Sequence, residues 1–296
     1  MIEKVYTFGN NSLVGVLTES EANAHKNGTP AVLLWNAGLL HRVGPNRLYV
    51  DLARKLAFLG FVVFRFDLSG KGDSEIQKES LSEQKRTVND IQEAMNFLLA
   101  RKRVHEFVLI GLCSGADEAH SVAVVDSRVS GVIFLDAYGY RTLGFYAHHY
   151  GPRLFKLTVW KNFIKRHYSS IVSRACKGTD RSQEEKAIFE REFPPKKKVK
   201  SDMEALIKRG VDLMYIYSGG VKYGYYNYHG QFKDMFRGIG FNGKVQLECF
   251  DKADHTYTSL GARSKLITTV CDWMLHHYRG DNRGSSVPSC EGNITM

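Results

Sequence analysis

The amino-acid sequence predicts an α/β fold with a mostly parallel, doubly wound sheet. Short, continuously apolar runs alternate with longer amphipathic stretches along the first half of the chain. The apolar runs are AVLLWNAG (31–38), FVVFRFD (61–67), EFVLIGL (106–112) and GVIFLD (131–136), and the amphipathic stretches include NRLYVDLARKLAFLG (46–60) and SEQKRTVNDIQEAMNFLLARK (82–102). Strands that are apolar on both faces are typical of a parallel sheet covered by helices on both sides. A chain of 296 residues, 43% of them hydrophobic, is long enough to bury such a core in one elaborated domain.

The alternating pattern is preceded by a hairpin and interrupted once. Two segments with period-two alternation, 4–9 and 12–19, predict an opening β-hairpin. The first part of the core is expected to end at residue 137. Residues 138–206 are rich in aromatic and basic side chains and predict a helical lid inserted after the sixth strand. The core pattern resumes over 207–278, and the Gly- and Ser-rich tail 279–296 is predicted to be disordered.

Composition restricts the class of protein but does not identify a partner. The N-terminal MIEKVYTFGN has no secretory pattern, and no uncharged apolar run reaches about 18 residues, so we expect a cytoplasmic protein with no membrane span. Five irregularly spaced cysteines predict reduced thiols rather than a disulfide framework. The net charge of +10 suits nucleic acid, anionic lipid or an acidic protein equally well. Because no nucleic-acid-binding motif accompanies the charge, we expect no nucleic-acid partner.

A strand, a glycine-flanked turn and a helix follow one another in VLIGLCSGADEAH, residues 108–120. The turn has the pattern G-x-C-x-G, with Gly111, Cys113 and Gly115 at its fixed positions. A nucleophile in such a turn has a strained backbone, and side chains at the flanking positions would clash with the adjacent strand and helix. The N-terminus of the following helix would favour the thiolate form of Cys113. We interpret Cys113 as a nucleophile; the alternatives are a buried structural cysteine and Ser114 as the nucleophile, one position beyond the centre of the turn.

This turn resembles the nucleophile elbow of the α/β-hydrolase superfamily, with cysteine in place of the usual serine. Residues 35–75 are similar to the serine aminopeptidase-like and monoacylglycerol lipase-like branch. Within them, NAGLLHRVGPNRLY (36–49) is especially similar to hydrolases associated with the exosortase A system, which also carry a GLCSG-type elbow. A D-x-x-G-x-G-x-S loop, structural in the family, is matched by Asp67, Gly70, Gly72 and Ser74. The resemblance covers about residues 30–137 and 211–278 and implies an α/β-hydrolase fold.

The resemblance also implies where a catalytic histidine and acid lie. The family's histidine follows the last strand, and CFDKADHTYT (249–258) puts His255 there. The acid normally follows the preceding strand, but after YIYSGG there is no carboxylate before Asp234. The other placement known in the superfamily, similar to that in chain-terminating thioesterases, gives Asp136, which would orient His255 and stabilise its protonated form. Asp136 as a turn cap, and Asp254 as the acid instead, are the alternatives.

A triad of Cys113, His255 and Asp136 implies acyl transfer on an ester or thioester through a covalent acyl-enzyme. The oxyanion would be bound by the backbone N–H of Ser114 together with that of Gly38 or Leu39. Because a thiol is both a good nucleophile and a good leaving group, thioesterase, esterase, acyltransferase and lactone-forming cyclase activities are all candidates. No metal or organic cofactor is expected.

The predicted insertion supplies candidate binding residues. Four aromatic side chains, Tyr138, Tyr140, Tyr146 and Trp160, are candidates for lining an acyl-binding channel, or alternatively form the insertion's own core. The basic run PPKKKVK resembles a nuclear-localisation or nucleic-acid patch, but one short basic run is weak evidence for either, and we interpret it as a solvated loop. A docking surface for an acidic acyl carrier protein, through Lys196, Lys197 and Lys198, is a further alternative. The rival function is a non-catalytic ligand-binding protein with the same fold, in which the unusual cysteine and the empty acid position reflect lost chemistry.

Overall fold

The computed structural model describes residues 1–10, 12–21, 28–38, 40–76, 80–154, 193–222 and 224–279, with backbone alone at 152–154. Of the predicted disordered tail, 279–296, Arg279 is described and residues 280–296 lie outside the described residues.

The described residues form a sheet of eight strands in the order β1-β2-β4-β3-β5-β6-β7-β8. The strands are β1 (Ile2–Phe8), β2 (Leu13–Glu19), β3 (Ala31–Trp35), β4 (Val63–Phe66), β5 (Phe107–Leu112), β6 (Val129–Leu135), β7 (Asp212–Ser218) and β8 (Val245–Phe250). β2 is antiparallel to both β1 and β4, and every other neighbouring pair is parallel. The predicted hairpin and the mostly parallel sheet are therefore confirmed.

The helices in the described residues follow the predicted alternation. They are α1 (Leu48–Phe58), α2 (Glu83–Lys102), α3 (Ser114–Val125), α4 (Leu143–Leu154), α5 (Lys196–Lys208), α6 (Gln231–Met235) and α7 (Leu260–Tyr278). α1 packs against α7, and α2 packs against α3. Every helix in the described part of the chain is too short or too polar to cross a bilayer.

The core explains why the central strands are apolar throughout. Val32 and Leu34 of β3 belong to one buried cluster with side chains of α1 and α7. Successive side chains of a strand point to opposite faces of the sheet. Leu33, which lies between them, is also fully buried, so both faces of the sheet are covered.

The chain divides into two compact units. The larger, residues 1–138, 201–221 and 239–296, contains the whole sheet; the smaller consists of 139–200 and 222–238. Within the smaller unit, the hydroxyl groups of Thr142 and Tyr228 are 2.7 Å apart, and the Gln231 amide donates to the backbone oxygen of Tyr140 at 3.1 Å. The smaller unit therefore has polar contacts of its own.

Candidate active site

Cys113 lies at a sharp turn between β5 and α3. Its φ of 56° is in the region that non-glycine residues rarely adopt. Its backbone N–H donates to the carbonyl oxygen of Leu135 at 2.9 Å, which fixes the turn against the end of β6. The side chain is half-buried at the N-terminus of α3. The helix therefore directs the N–H groups of its first turn and the positive end of its dipole toward the turn.

Of the two glycines of the elbow, Gly111 is required sterically and Gly115 lies at a tight position. A Cβ at Gly111 would lie 2.1 Å from the carbonyl oxygen of Gly115, closer than any real contact. A Cβ at Gly115 would lie 3.2 Å from the carbonyl oxygen of Asn36, at the end of β3. The pattern G-x-C-x-G thus allows α3 to begin directly against β3 and β5.

Asp136 follows β6 and has a fully buried side chain. Its carboxylate accepts two hydrogen bonds from Ser218 at the end of β7, one from the backbone N–H and one from the hydroxyl, both at 2.6 Å. A third contact joins Asp136 Oδ2 and His255 Nδ1 at 2.7 Å. A buried carboxylate requires such donors because burial removes it from water.

His255 lies after β8, between two of the predicted site residues. A carboxylate is an acceptor only, so the 2.7 Å contact puts a proton on Nδ1 and leaves Nε2 for another partner. The pKa of His255 is raised from 6.5 to about 10, most strongly by the hydrogen bond to Asp136 and next by the hydrogen bond to Cys113, while burial acts in the opposite direction. Both bonds favour the imidazolium, the form that pairs with a thiolate. The structure thus brings together Cys113, His255 and Asp136.

The rival acid, Asp254, makes other contacts. Its carboxylate accepts hydrogen bonds from the side-chain hydroxyls of Thr256 and Thr258, at 2.6 and 2.8 Å. These bonds, that of Thr256 first, lower the pKa of Asp254 to about 2. The hydrogen bonds of the Asp254 carboxylate are therefore made within the turn that contains Thr256 and Thr258, after His255.

Gly38 lies in the turn after β3, with φ at +57°. Its backbone N–H donates to the Ser114 hydroxyl oxygen at 3.0 Å, so the turn lies directly beside the first residue of α3. Leu39, the other predicted oxyanion donor, lies outside the described residues.

A buried network holds this turn in place. The Asn36 amide donates to the Leu40 carbonyl oxygen and to Asp67 Oδ1, both at 3.0 Å. Asp67 Oδ1 also accepts the backbone N–H of Arg42 at 2.7 Å, and the Arg42 guanidinium contacts the same carboxylate. A Cβ at Gly72 would collide with the Asp67 side chain. The D-x-x-G-x-G-x-S loop therefore anchors the turn that carries Gly38.

A second buried network connects the elbow helix with the segment after Asp136. His120 of α3 is 3.2 Å from the Tyr138 hydroxyl through Nδ1 and 3.0 Å from Asp202 of α5 through Nε2. The Tyr138 hydroxyl is also 2.9 Å from that of Tyr215. Tyr138, a candidate for the acyl-binding channel, is fully buried in this network. The Tyr138 hydroxyl therefore makes its hydrogen bonds within the core.

The other candidate binding residues lie in the smaller unit or beyond the described part. Tyr140 is half-buried, and its hydroxyl donates to the Pro194 carbonyl oxygen at 2.6 Å. Tyr146 is 44% exposed and stacks on Tyr150 with ring centroids 6.3 Å apart. Trp160 lies outside the described residues.

One half-buried acid near the elbow, Glu118, is not predicted from the sequence. Glu118, one turn into α3, accepts the indole N–H of Trp35 at 2.7 Å. Burial raises the pKa of Glu118 to about 7. The bond joins the end of β3 to the elbow helix.

Ser218 is a polar group at the site that is not predicted from the sequence. A signal for Ser218 is present, because this serine ends the strand after which the acid normally lies in the family. Ser114 is predicted as an oxyanion donor through its N–H and as the alternative nucleophile through its hydroxyl, but nothing in the sequence indicates a bond from Gly38 to that hydroxyl. Within the described residues, no group of three or more His, Cys, Asp or Glu side chains could hold a metal ion.

Comparisons with known proteins agree with the topology. A family model described as alpha/beta hydrolase fold matches residues 30–163. No curated protein matches the chain significantly. Among solved structures, an alpha-beta serine hydrolase homologue from Coxiella burnetii has a TM-score of 0.55 at 13% identity, covering 92% of this chain and 96% of its own.

Two further solved structures are similar over nearly the whole chain. The meta-cleavage product hydrolase CumD from Pseudomonas fluorescens has a TM-score of 0.54 at 15% identity, over 92% of this chain and 97% of its own. Proline iminopeptidase from Mycobacterium smegmatis has a TM-score of 0.53 at 14% identity, over 93% and 98%. Together with the strand order and the strand–turn–helix around Cys113, these similarities show that the chain has the α/β-hydrolase fold.

Proposed function

We propose that the protein is a hydrolase or acyltransferase that uses Cys113 to transfer an acyl group from an ester or thioester. One observation carries the proposal: the thiol at the elbow shares a hydrogen bond with an imidazole whose far nitrogen is 2.7 Å from a buried carboxylate. Several similar solved structures are of hydrolases, which agrees with this class of reaction.

The first half-reaction forms an acyl-enzyme. The Cys113 thiolate attacks the carbonyl carbon, and the π electrons of the carbonyl move onto its oxygen, which becomes an oxyanion beside the N-terminus of α3. When the carbonyl re-forms, the bond to the leaving group breaks. His255 gives its Nε2 proton to the departing alkoxide or thiolate, and the acyl group remains on sulfur.

The second half-reaction releases the acyl group. Water, an alcohol or an amine loses a proton to His255 Nε2 as it attacks the thioester carbonyl, and the Cys113 thiolate leaves. Asp136 keeps the imidazole in one orientation and stabilises its cationic form in both steps. No step requires a metal or an organic cofactor.

Turnover by matched variants tests the proposal. We expect release of thiol from the butyryl thioester of N-acetylcysteamine, or of p-nitrophenol from p-nitrophenyl butyrate. Cys113→Ala and His255→Ala should lower kcat by at least about 10³-fold, since both remove part of a unit that acts together. Cys249→Ala, a half-buried cysteine in β8, is the control and should leave kcat unchanged. Undiminished turnover by Cys113→Ala would refute the proposal, and a protein inert toward both probes would favour a ligand-binding role.

The finer form of the proposal concerns the acyl group and its carrier. The exposed Tyr146 is a candidate contact for an acyl chain, and Tyr146→Ala should then alter the preference among acyl chain lengths.

Lys196, Lys197 and Lys198 are exposed in the first turn of α5, where no acidic residue is present. If the substrate is borne by an acidic carrier protein, reversing these three charges should raise KM for the carrier-bound thioester and leave KM for the small thioester unchanged. An equal KM for the carrier-bound thioester would remove the carrier from the proposal.

A further inference from the structure

The hydrogen bond from Gly38 to Ser114 changes which groups are available to an oxyanion. In the usual arrangement of this fold, a backbone N–H of the turn after β3 donates directly to the substrate oxygen. Here the N–H of Gly38 donates to the Ser114 hydroxyl oxygen at 3.0 Å. The hydroxyl therefore lies within the distance from Gly38 N at which an oxyanion would be expected.

A hydroxyl that accepts this bond still has one proton to donate. Serine has one O–H and two acceptor lone pairs, so the bond from Gly38 occupies a lone pair and turns the proton away from Gly38. Among the described residues, a Cβ built on Gly38 meets nothing within 4 Å, so there is open space beside the turn. Ser114 itself is only half-buried.

The backbone of Ser114 places a second donor close to the first. Ser114 is the first residue of α3, so its N–H has no intrahelical acceptor. The N–H and the O–H of one residue, directly after the nucleophile, can thus converge on one oxygen. Donation by Gly38 into the hydroxyl polarises the O–H and strengthens it as a donor.

We propose that the Ser114 hydroxyl is a catalytic donor to the oxyanion, and that the Gly38 N–H acts through this hydroxyl rather than on the substrate directly. The inference rests on the proposed function and specifies how its oxyanion is stabilised. The opposite assignment is that the hydroxyl only fills the site and is displaced by substrate. The two assignments predict opposite signs for the effect of removing the hydroxyl.

The test compares Ser114→Ala and Ser114→Thr with the wild type, using the butyryl thioester of N-acetylcysteamine. If the hydroxyl donates to the oxyanion, Ser114→Ala should lower kcat about 10²- to 10³-fold, the range measured for the loss of one oxyanion donor. KM should change much less, because the ground-state carbonyl oxygen carries little charge. Ser114→Thr keeps the hydroxyl and should retain kcat within about tenfold. Ser121→Ala is the control, because the Ser121 hydroxyl donates to the backbone oxygen of Asp117 within the same helix.

Alkylation of Cys113 by iodoacetamide separates this role from a structural one. Attack on a saturated carbon creates no oxyanion, so Ser114→Ala should be alkylated at the wild-type rate and should still accept a butyryl group on Cys113, only more slowly. An unchanged or raised kcat in Ser114→Ala would overturn the donor role, as would an equal fall in alkylation and turnover. If the wild type turns over neither thioester nor ester, the proposed function fails and the donor role fails with it; if only the Ser114 effect is absent, the proposed function stands.

Discussion

The ends of β6 and β7 are adjacent in the sheet, yet they contribute opposite chemistry to the candidate site. Asp136, whose carboxylate is fully buried, directly follows β6. β7 ends in Ser218, which supplies an N–H and a hydroxyl to that carboxylate. In the resemblance to α/β-hydrolases the acid normally follows β7, but the sequence has no carboxylate there before Asp234, and Asp136 is the predicted acid. The comparison indicates that an empty acid position is not evidence of lost chemistry when the neighbouring strand end carries a carboxylate with donors arranged around it.

Asp136 has an unusual backbone conformation but remains hydrogen-bonded to the neighbouring strand. Its φ of 49° is in the left-handed region, which Asp and Asn tolerate better than most residues. Its backbone N–H still donates to Ile216 of β7 at 2.8 Å, so the residue remains attached to the sheet.

The largest effect is expected from the carboxylate itself. Asp136→Asn should keep the unusual backbone angle, but it removes the charge that stabilises the imidazolium, and kcat should fall about 10³- to 10⁴-fold. Steady-state turnover of the thioester measures this, with the melting temperature as a check on folding. Asp254→Asn is the matched control and should retain kcat. If Asp254→Asn is the damaging variant instead, the acid has been assigned to the wrong residue.

A smaller loss of kcat is expected from a substitution at Gly220, which follows β7. A Cβ at Gly220 would lie 2.5 Å from the backbone nitrogen of His255 and 3.0 Å from its Cβ. Gly220→Ala should therefore displace His255 and lower kcat about 10- to 100-fold. Gly261→Ala, at an open position in α7, is the control. Wild-type kcat in Gly220→Ala would show that the position of the histidine loop does not depend on the end of β7.

Removing one of the two donors to the carboxylate should have a still smaller effect. Ser218→Ala keeps the backbone N–H bond and loses the hydroxyl bond to Asp136 Oδ2, the oxygen that also contacts His255. Hydrogen bonds to charged groups contribute about 1.5–3 kcal/mol, so the free energy of unfolding should fall by about that amount, with kcat reduced several-fold. Denaturant unfolding and turnover measure the two effects. An unchanged stability would mean that the Ser218 hydroxyl does not support the acid.

The pH dependence of stability should show the smallest difference, because the His255 side chain is partly exposed. Its pKa is raised from 6.5 to about 10, chiefly by Asp136. A raised pKa contributes stability that is complete below about pH 6.5 and is lost as the pH rises toward 10. The difference in unfolding free energy between the wild type and Asp136→Asn should therefore shrink from pH 6 to pH 10. A difference that grows with pH would contradict the assigned ion pair.

The parts of the molecule that depend on local pattern could be predicted from the sequence. Apolar runs and glycine spacing sufficed for the strands and for the turn at Cys113. The histidine and the acid required the resemblance, because Asp136 and His255 are far apart in sequence. The role of Ser218 depends on the register between β6 and β7, which the sequence does not encode locally. Likewise, an aromatic residue after a strand looks the same whether it faces a substrate or, like Tyr138, becomes part of the core.

The position of a trapped acyl group tests most directly whether Cys113 is the nucleophile. The protein is mixed with p-nitrophenyl butyrate, quenched in acid within the first turnover and mapped by peptide mass spectrometry. We expect one butyryl group on the peptide that contains Cys113, absent from Cys113→Ala and present, with slower formation, in Asp136→Asn. A butyryl group on any other residue, or one that persists in Cys113→Ala, would contradict this expectation.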